Sequence, residues 1–486
     1  MNRLISLILL VAGCKFGSPT PAGDDTSDPS SDAQLDLCEG VPVEGVCQDS
    51  MVARCVDGAI EHETCALGCG VTTGVAACNA LDCSTVGPLG RCDGELLARC
   101  DTLPGVTADC SATGQQCGYV DDVSGYQCVD GGILASKRIA GTIRWEDRPL
   151  SPGQLGAAVA MPARGVMVAI LDAADVTLAT VSTADDGTYV AHYEATENVR
   201  VVAYSRSRAE ARPARVRDTQ GYLHALGSEP FVAGDTTAVD LTITASSSLG
   251  GAWNALDNAI TAMDWLRARG ISTISPVFMY WQLGSATGSY YQGGDNSLHL
   301  DGDDGFDDVV ALHELGHYMQ DEYSASDNPG GAHDGSPADP RLAWGEGGAT
   351  WFAIAIRGSA NYIDYSAGGG WSVELEDRVH AASVAGGLSQ RLSEWMVAEL
   401  MYDVGDAAGG DDDAMTATHA EVFDVLTGYM TSSQMSARGF SGVDLVEFLD
   451  GWFATHGLAS CTAMRSLLVD HYKFPYDFSG PAGDCP

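Results

Sequence analysis

His313 and His317 flank Glu314-Leu315-Gly316, and this spacing constrains the chain before any other feature does. On an α-helix, two imidazoles four residues apart lie one turn apart and project from the same face. The flanks agree with a helix. Val309-Val310-Ala311-Leu312 is fully apolar, as in a buried helix, and Asp307 and Asp308 stand where acids favour a helix N-terminus. Two neutral ring nitrogens on one helical turn can hold Zn²⁺, and Glu314 beside them can take a proton from water at the metal. The competing reading is a surface helix with two incidental histidines, and the apolar run before them argues against it.

A third ligand is available at Glu346. The stretch Trp344-Gly345-Glu346-Gly347-Gly348-Ala349-Thr350-Trp351-Phe352-Ala353 reads as a second helix despite its glycines. Positions 346, 349, 350 and 353 share a face, and the small Ala349, Thr350 and Ala353 would let this helix approach the first closely. Glu346 would then complete a His₂Glu set with a fourth position open. Alternatively, it is an acid stabilising its own helix N-terminus.

HExxH followed by this Glu-Gly-Gly-Ala setting resembles the gluzincin zinc metallopeptidases, the thermolysin-like and aminopeptidase-like group. The resemblance covers roughly residues 250–460. It implies His313, His317 and Glu346 as ligands of one Zn²⁺, Glu314 as general base, and a protein or peptide substrate. It also implies a downstream helix at Leu392 to Asp403. Two departures stand out. Thermolysin-like enzymes carry an Asp four residues after the Glu ligand to orient a zinc histidine; here that position is Thr350, so another group must make the contact. The 28 residues between His317 and Glu346 exceed the usual number, and the insert Gln320 to Ala343, with Asn328-Pro329-Gly330-Gly331-Ala332-His333-Asp334-Gly335, predicts a loop at the cleft rim. The transition-state donor stays open among Tyr362, Tyr365, His380 and Tyr402.

The N-terminus points to export. Residues 1–13 read as a lipoprotein signal peptide: a basic start, an apolar Leu4 to Val11 too short to span a bilayer, then small residues. Val11-Ala12-Gly13-Cys14 resembles a bacterial lipobox, which implies lipidation at Cys14 and anchoring to the bacterial cell envelope. An ordinary secretory signal is the alternative. Residues 14–36 predict a disordered tether. Cysteine usage agrees with an oxidising compartment. Twelve cysteines form two units, Cys38, Cys47, Cys55, Cys65, Cys69 and Cys78, then Cys83, Cys92, Cys100, Cys110, Cys117 and Cys128, and the leading four of each are spaced identically. They predict two disulfide-stapled repeats, 37–80 and 81–130, with connectivity open. Cys461 and Cys485 are expected to pair.

The expected fold is multidomain: the disulfide-rich repeats, an antiparallel β-sandwich, then an α+β, zincin-like, mainly helical catalytic domain. The sandwich, 137–245, is read from short β-branched runs at Val166–Leu171, Thr177–Val181, Thr188–Tyr193 and Val199–Tyr204, punctuated by Asp185-Asp186-Gly187. It resembles the transthyretin-like regulatory domains of carboxypeptidases. The catalytic domain is 246–486, with Tyr290 to Leu300 as a sheet edge at the cleft.

With 25 basic against 66 acidic residues the net charge is −41, which excludes nucleic acid as a partner and charge-driven binding to anionic lipid. Membrane contact is thus expected through the N-terminal lipid alone, and the sequence sets no oligomeric state. Asp301-Gly302-Asp303-Asp304-Gly305-Phe306-Asp307-Asp308 offers carboxylates to Ca²⁺ but breaks the EF-hand order; a solvated acidic turn is the alternative. Two other readings of the whole remain: an adhesion or scaffold protein with an inactive peptidase-like domain, and a latent enzyme whose cysteine repeats block the cleft.

Overall fold

A computed structural model describes Cys38 and residues 41–485, less 49–50, 58, 66–68, 73–74, 79–90, 94–95, 100–105, 122–124, 131–136, 152–153, 194–197, 210, 234–235, 287, 367–368, 378–391, 407–413, 440–441 and 481–482. Cys14, the signal and tether regions, and His380 lie outside the described residues. What is described divides into two compact units, one within 22–136 and one spanning 137–486.

In the cysteine-rich unit the repetition in sequence is a repetition in structure. Val46–Gln48, Met51–Val56 and Ala59–Thr64 form an antiparallel three-stranded sheet, and Cys69–Thr72 and Val75–Cys78 a hairpin. Arg91–Asp93, Leu96–Arg99 and Val106–Asp109 repeat the sheet, and Gln116–Asp121 and Gly125–Val129 the hairpin. Cys38 bonds Cys55, Cys47 bonds Cys69, and Cys110 bonds Cys128. Cys65 and Cys117 are disulfide-bonded as well. Val52, Cys65 and Ala76 form a small buried cluster, too little apolar area to hold such a module without cross-links.

The second unit opens with strands β1 (Lys137–Asp147), β2 (Val166–Asp172), β3 (Thr177–Ser182), β4 (Thr188–Tyr193), β5 (Asn198–Ser207) and β6 (Ala214–Arg217). Alternate side chains point inward: Ile139 and Ile143 of β1, Val168 and Ile170 of β2, Tyr189 and Ala191 of β4, Val201 and Ala203 of β5, all in one core. The pairing departs from the all-antiparallel expectation. β1 pairs in parallel with Thr236–Ala238 and Leu241–Ile243, and β6 pairs in parallel with β7 (Val277–Tyr280). Helix α1 (Gly250–Ala268) lies between β6 and β7 in sequence, and parallel neighbours need such a crossover. One sheet therefore runs from β2, β3 and β5 into the region carrying the HExxH helix, in the order β3-β2-β5-β6-β7, then Ser297–His299 and, at the edge, Tyr290–Gln292. Arg164 to Asp257 at 2.9 Å and Arg212 to Asp264 at 2.7 Å tie the segments flanking β2 and β6 to α1.

Helices α2 (Asp308–Tyr323), α3 (Pro340–Arg357) and α4 (Glu394–Gly405) frame the rest, with hairpin β8 (Asn361–Ser366) and β9 (Gly369–Glu374) beside them. Asp307 caps α2, accepting from Val309 N and Val310 N at 3.1 Å each. Pro340 and Asp339 start α3, and left-handed Gly358 ends it. Glycine sets the helix spacing: a Cβ on Gly316 would lie 2.7 Å from Ala349 Cα, and one on Gly347 would lie 2.6 Å from Glu394 O. Near the C-terminus Cys461 bonds Cys485, as expected. Among the described residues no helix is long and apolar enough to cross a membrane.

Candidate metal centre

α2 brings His313, Glu314 and His317 to a buried face, and α3 lays Glu346 against it. Glu346 Oε2 stands 3.2 Å from His313 Nε2 and 3.2 Å from His317 Nε2. Among the described residues, these three are the group whose ligand atoms all lie within 4.8 Å of one another. Tetrahedral zinc bonded at about 2.0–2.1 Å separates its ligand atoms by about 3.3 Å, so the spacing fits one ion. Burial would raise the Glu346 carboxyl, but His317, with hydrogen bonds to His313 and His317, holds it well below the usual carboxylate range. Burial alone would lower His317, yet Glu346 and then Glu314 raise it.

The contacts behind these candidate ligands are also in place. Thr350 Oγ1 lies 3.1 Å from His313 Nδ1, so the residue standing where an Asp was expected makes the orienting contact itself. Asn328 Nδ2 donates to Glu346 Oε1 at 2.9 Å, while Asn328 Oδ1 accepts from Gly330 N at 2.9 Å. Those two bonds fix the amide's orientation and leave Glu346 Oε2 to face the imidazoles. Gly345 makes room for this: a Cβ there would collide with the Asn328 amide.

The long insert between the histidines and Glu346 also delivers His333, which sequence reasoning left as part of a rim loop. His333 Nε2 is 3.6 Å from Glu346 Oε2, and its Nδ1 is 3.0 Å from Glu394 Oε2 at the start of α4. Glu394 Oε1 accepts from Gly335 N at 3.1 Å, Ser393 Oγ donates to Gly335 O at 2.7 Å, and Ala338 bridges Leu392. The loop is thus strapped to α4. Burial alone would lower His333, but the hydrogen bond to Glu394 and the charges of Glu346, Glu394 and Glu314 outweigh it and push it up to about 9. The available signal in the sequence was a histidine set among glycines between the two ligand motifs.

The cleft over the site is lined by Ser289, Val310, Glu314, Thr350, Tyr362, Asp364, Trp371 and Trp395 together with His313, His333, Glu346 and Glu394. Of the expected donors, Tyr362 lines it, with its ring edge-on to His313 at 6.2 Å. The Tyr365 backbone N–H donates to Asp307 Oδ2, and Tyr402 packs on His419 outside the cleft lining. The acidic run before α2 is engaged with protein donors. Asp301 accepts from Asp303 N, Asp304 from Ser289, Asp307 from the start of α2, and Asp308 from Asn254, Asn258 and Arg357. These carboxylates do not converge as a calcium site needs, so calcium finds no support here.

No curated protein matches the chain. A family model described as the mycolysin C-terminal domain matches residues 261–446, a span that holds α2, α3 and all four HExxH…E residues. At a coarse level, that similarity supports a gluzincin-type, thermolysin-like zinc metallopeptidase.

Proposed function

We propose that this chain is an exported, lipid-anchored zinc peptidase in which His313, His317 and Glu346 hold one Zn²⁺ and Glu314 is the general base. The observation that carries the reading is the convergence of two imidazoles and a carboxylate at 3.2 Å, with Glu314 in the same cleft. Zinc bound there would supply Lewis acidity, polarising the scissile carbonyl and acidifying water. The chain's own residues do the rest. Glu314 accepts the proton of the attacking water and passes it to the leaving amine. Thr350 and Asn328 hold a ligand histidine and the ligand carboxylate in orientation. His333, braced by Glu394, takes the donor role left open in the sequence: its Nε2 stands 3.6 Å from Glu346 Oε2, beside the place where negative charge would develop on the carbonyl oxygen.

Peptide hydrolysis and bound zinc, measured on purified protein and on Glu314→Gln, test this. The variant should keep about one zinc per chain and lose hydrolysis. Full turnover in the variant would remove Glu314 from its role. A native chain without zinc or hydrolysis would favour the scaffold reading.

A further inference from the structure

One wall of the cleft is the β8–β9 hairpin. Strand alternation puts Tyr362 and Asp364 on the same face, and Trp371 pairs directly across from Asp364. The three aromatic rings on this side touch one another: Tyr362 to Trp371 at 5.6 Å, Tyr362 to Trp395 at 5.3 Å, and Trp371 to Trp395 at 5.7 Å with the planes 85° apart. Tyr362 meets His313 at its edge, so the wall begins at the proposed metal ligands and Asp364 lies one step along it.

The charges lining this cleft are unbalanced. Among the described residues its ionisable side chains, Tyr362 aside, are His313, Glu314, His333, Glu346, Asp364 and Glu394, with no Lys or Arg. Glu346 faces the imidazoles, Glu394 bonds His333, and Glu314 has its proposed catalytic task. Asp364 is half-buried; among the described residues its side chain makes no hydrogen bond or ion pair, and its charged neighbour is His313. A partly desolvated carboxylate is stabilised by a cation that reaches it, and indole faces attract cations further. The excess of 66 acidic over 25 basic residues adds a field that draws positive substrates in.

The geometry points to a substrate subsite for a cation, an ammonium or guanidinium beside the scissile bond, formed by Asp364 with Trp371 and Trp395. Two sources carry that chemistry, a Lys or Arg side chain or a free α-amino group. The inference rests on the peptidase reading and deepens it by naming the substrate class.

The test uses the full zinc-loaded chain and matched peptides: N-acetylated, with Lys, Arg or norleucine at each position flanking the cut, plus the norleucine peptide with a free N-terminus. One cationic form should exceed the neutral peptide in kcat/KM by about tenfold, chiefly through KM, with the excess falling as salt rises. Preference for Lys or Arg identifies a side-chain pocket; preference for the free N-terminus identifies an amine pocket. Asp364→Asn should bring the cationic-to-neutral ratio near one, and Asp364→Glu should restore part of it. Equal turnover of neutral and cationic peptides, or a preference that survives Asp364→Asn, overturns the subsite. Binding of the same peptides to zinc-loaded Glu314→Gln, read from tryptophan fluorescence, separates the two ideas. About tenfold tighter binding of the cationic peptide supports the subsite even if no peptide is cleaved, whereas equal binding sinks it.

Discussion

The two compact units are held together in opposite ways. In the cysteine-rich unit, covalent cross-links such as Cys38–Cys55, Cys47–Cys69 and Cys110–Cys128 supplement a small core, whose cluster among the described residues is Val52, Cys65 and Ala76. In 137–486 a continuous core runs from Ile139 to Phe478, and Cys461–Cys485 pins its tail. Small modules bury too little apolar area to offset chain entropy. The larger unit buries enough to carry costly features: His313, Glu314, His317 and Glu346 inside, and helices drawn together over Gly316 and Gly347. The proposed chemistry lies where core burial can offset that cost.

Separate perturbations should split this contrast. Glu314→Gln should lower kcat/KM by about 10²–10⁴ while both units melt unchanged. A shifted melting transition would mean that Glu314 is structural. Reduction should do the converse. A calorimetric scan with reductant should lose the transition of the cysteine-rich unit, while the other unit gives up about 3 kcal/mol with its 24-residue Cys461–Cys485 loop. Joint collapse of both transitions would refute their independence. If hydrolysis rises under the same treatment, the cysteine-rich unit restrains the cleft.

Within the larger unit, Asn328→Ala should weaken zinc binding by about 10–100-fold in a chelator competition, because Glu346 loses the amide that orients it. Unchanged affinity would make Asn328 a loop residue only. The smallest effect is a pH limb. The His333 pKa of about 9 lies above that of an unfolded imidazole, about 6.5, so its stabilising charge is fully present below about 6.5 and lost as pH rises through about 9. Bound zinc would mute Glu346's share of the shift. Hydrolysis should therefore fall about tenfold per pH unit above a midpoint at or below 9, and His333→Gln should abolish that limb. A limb that persists in the variant would assign the donor elsewhere.

Much of this was legible in the sequence because it is local. Four-residue spacing fixes where His313 and His317 point on a helix, and a small-residue face on α3 announces close packing. Thr350 was legible as a position but not as a partner: whether its hydroxyl reaches His313 depends on how α2 and α3 cross. Asn328 and His333 were out of reach for the same reason. Their loop has no periodicity, and its path is set by Glu394, Ser393 and Leu392, more than fifty residues later in the chain. The shared sheet was hidden because β6 and β7 are short and find one another only through the α1 crossover. The four short runs at 166–171, 177–181, 188–193 and 199–204, by contrast, are strands as their β-branched and aromatic residues predict.

X-ray absorption at the zinc edge, on the full chain and on His317→Ala, tests the central claim most directly. The native spectrum should show about one zinc per chain with two nitrogen and one protein oxygen ligands at about 2.0–2.2 Å, and the variant should lose the metal. A native chain that binds no zinc, or a variant that retains the same coordination, would contradict the assignment of His313, His317 and Glu346.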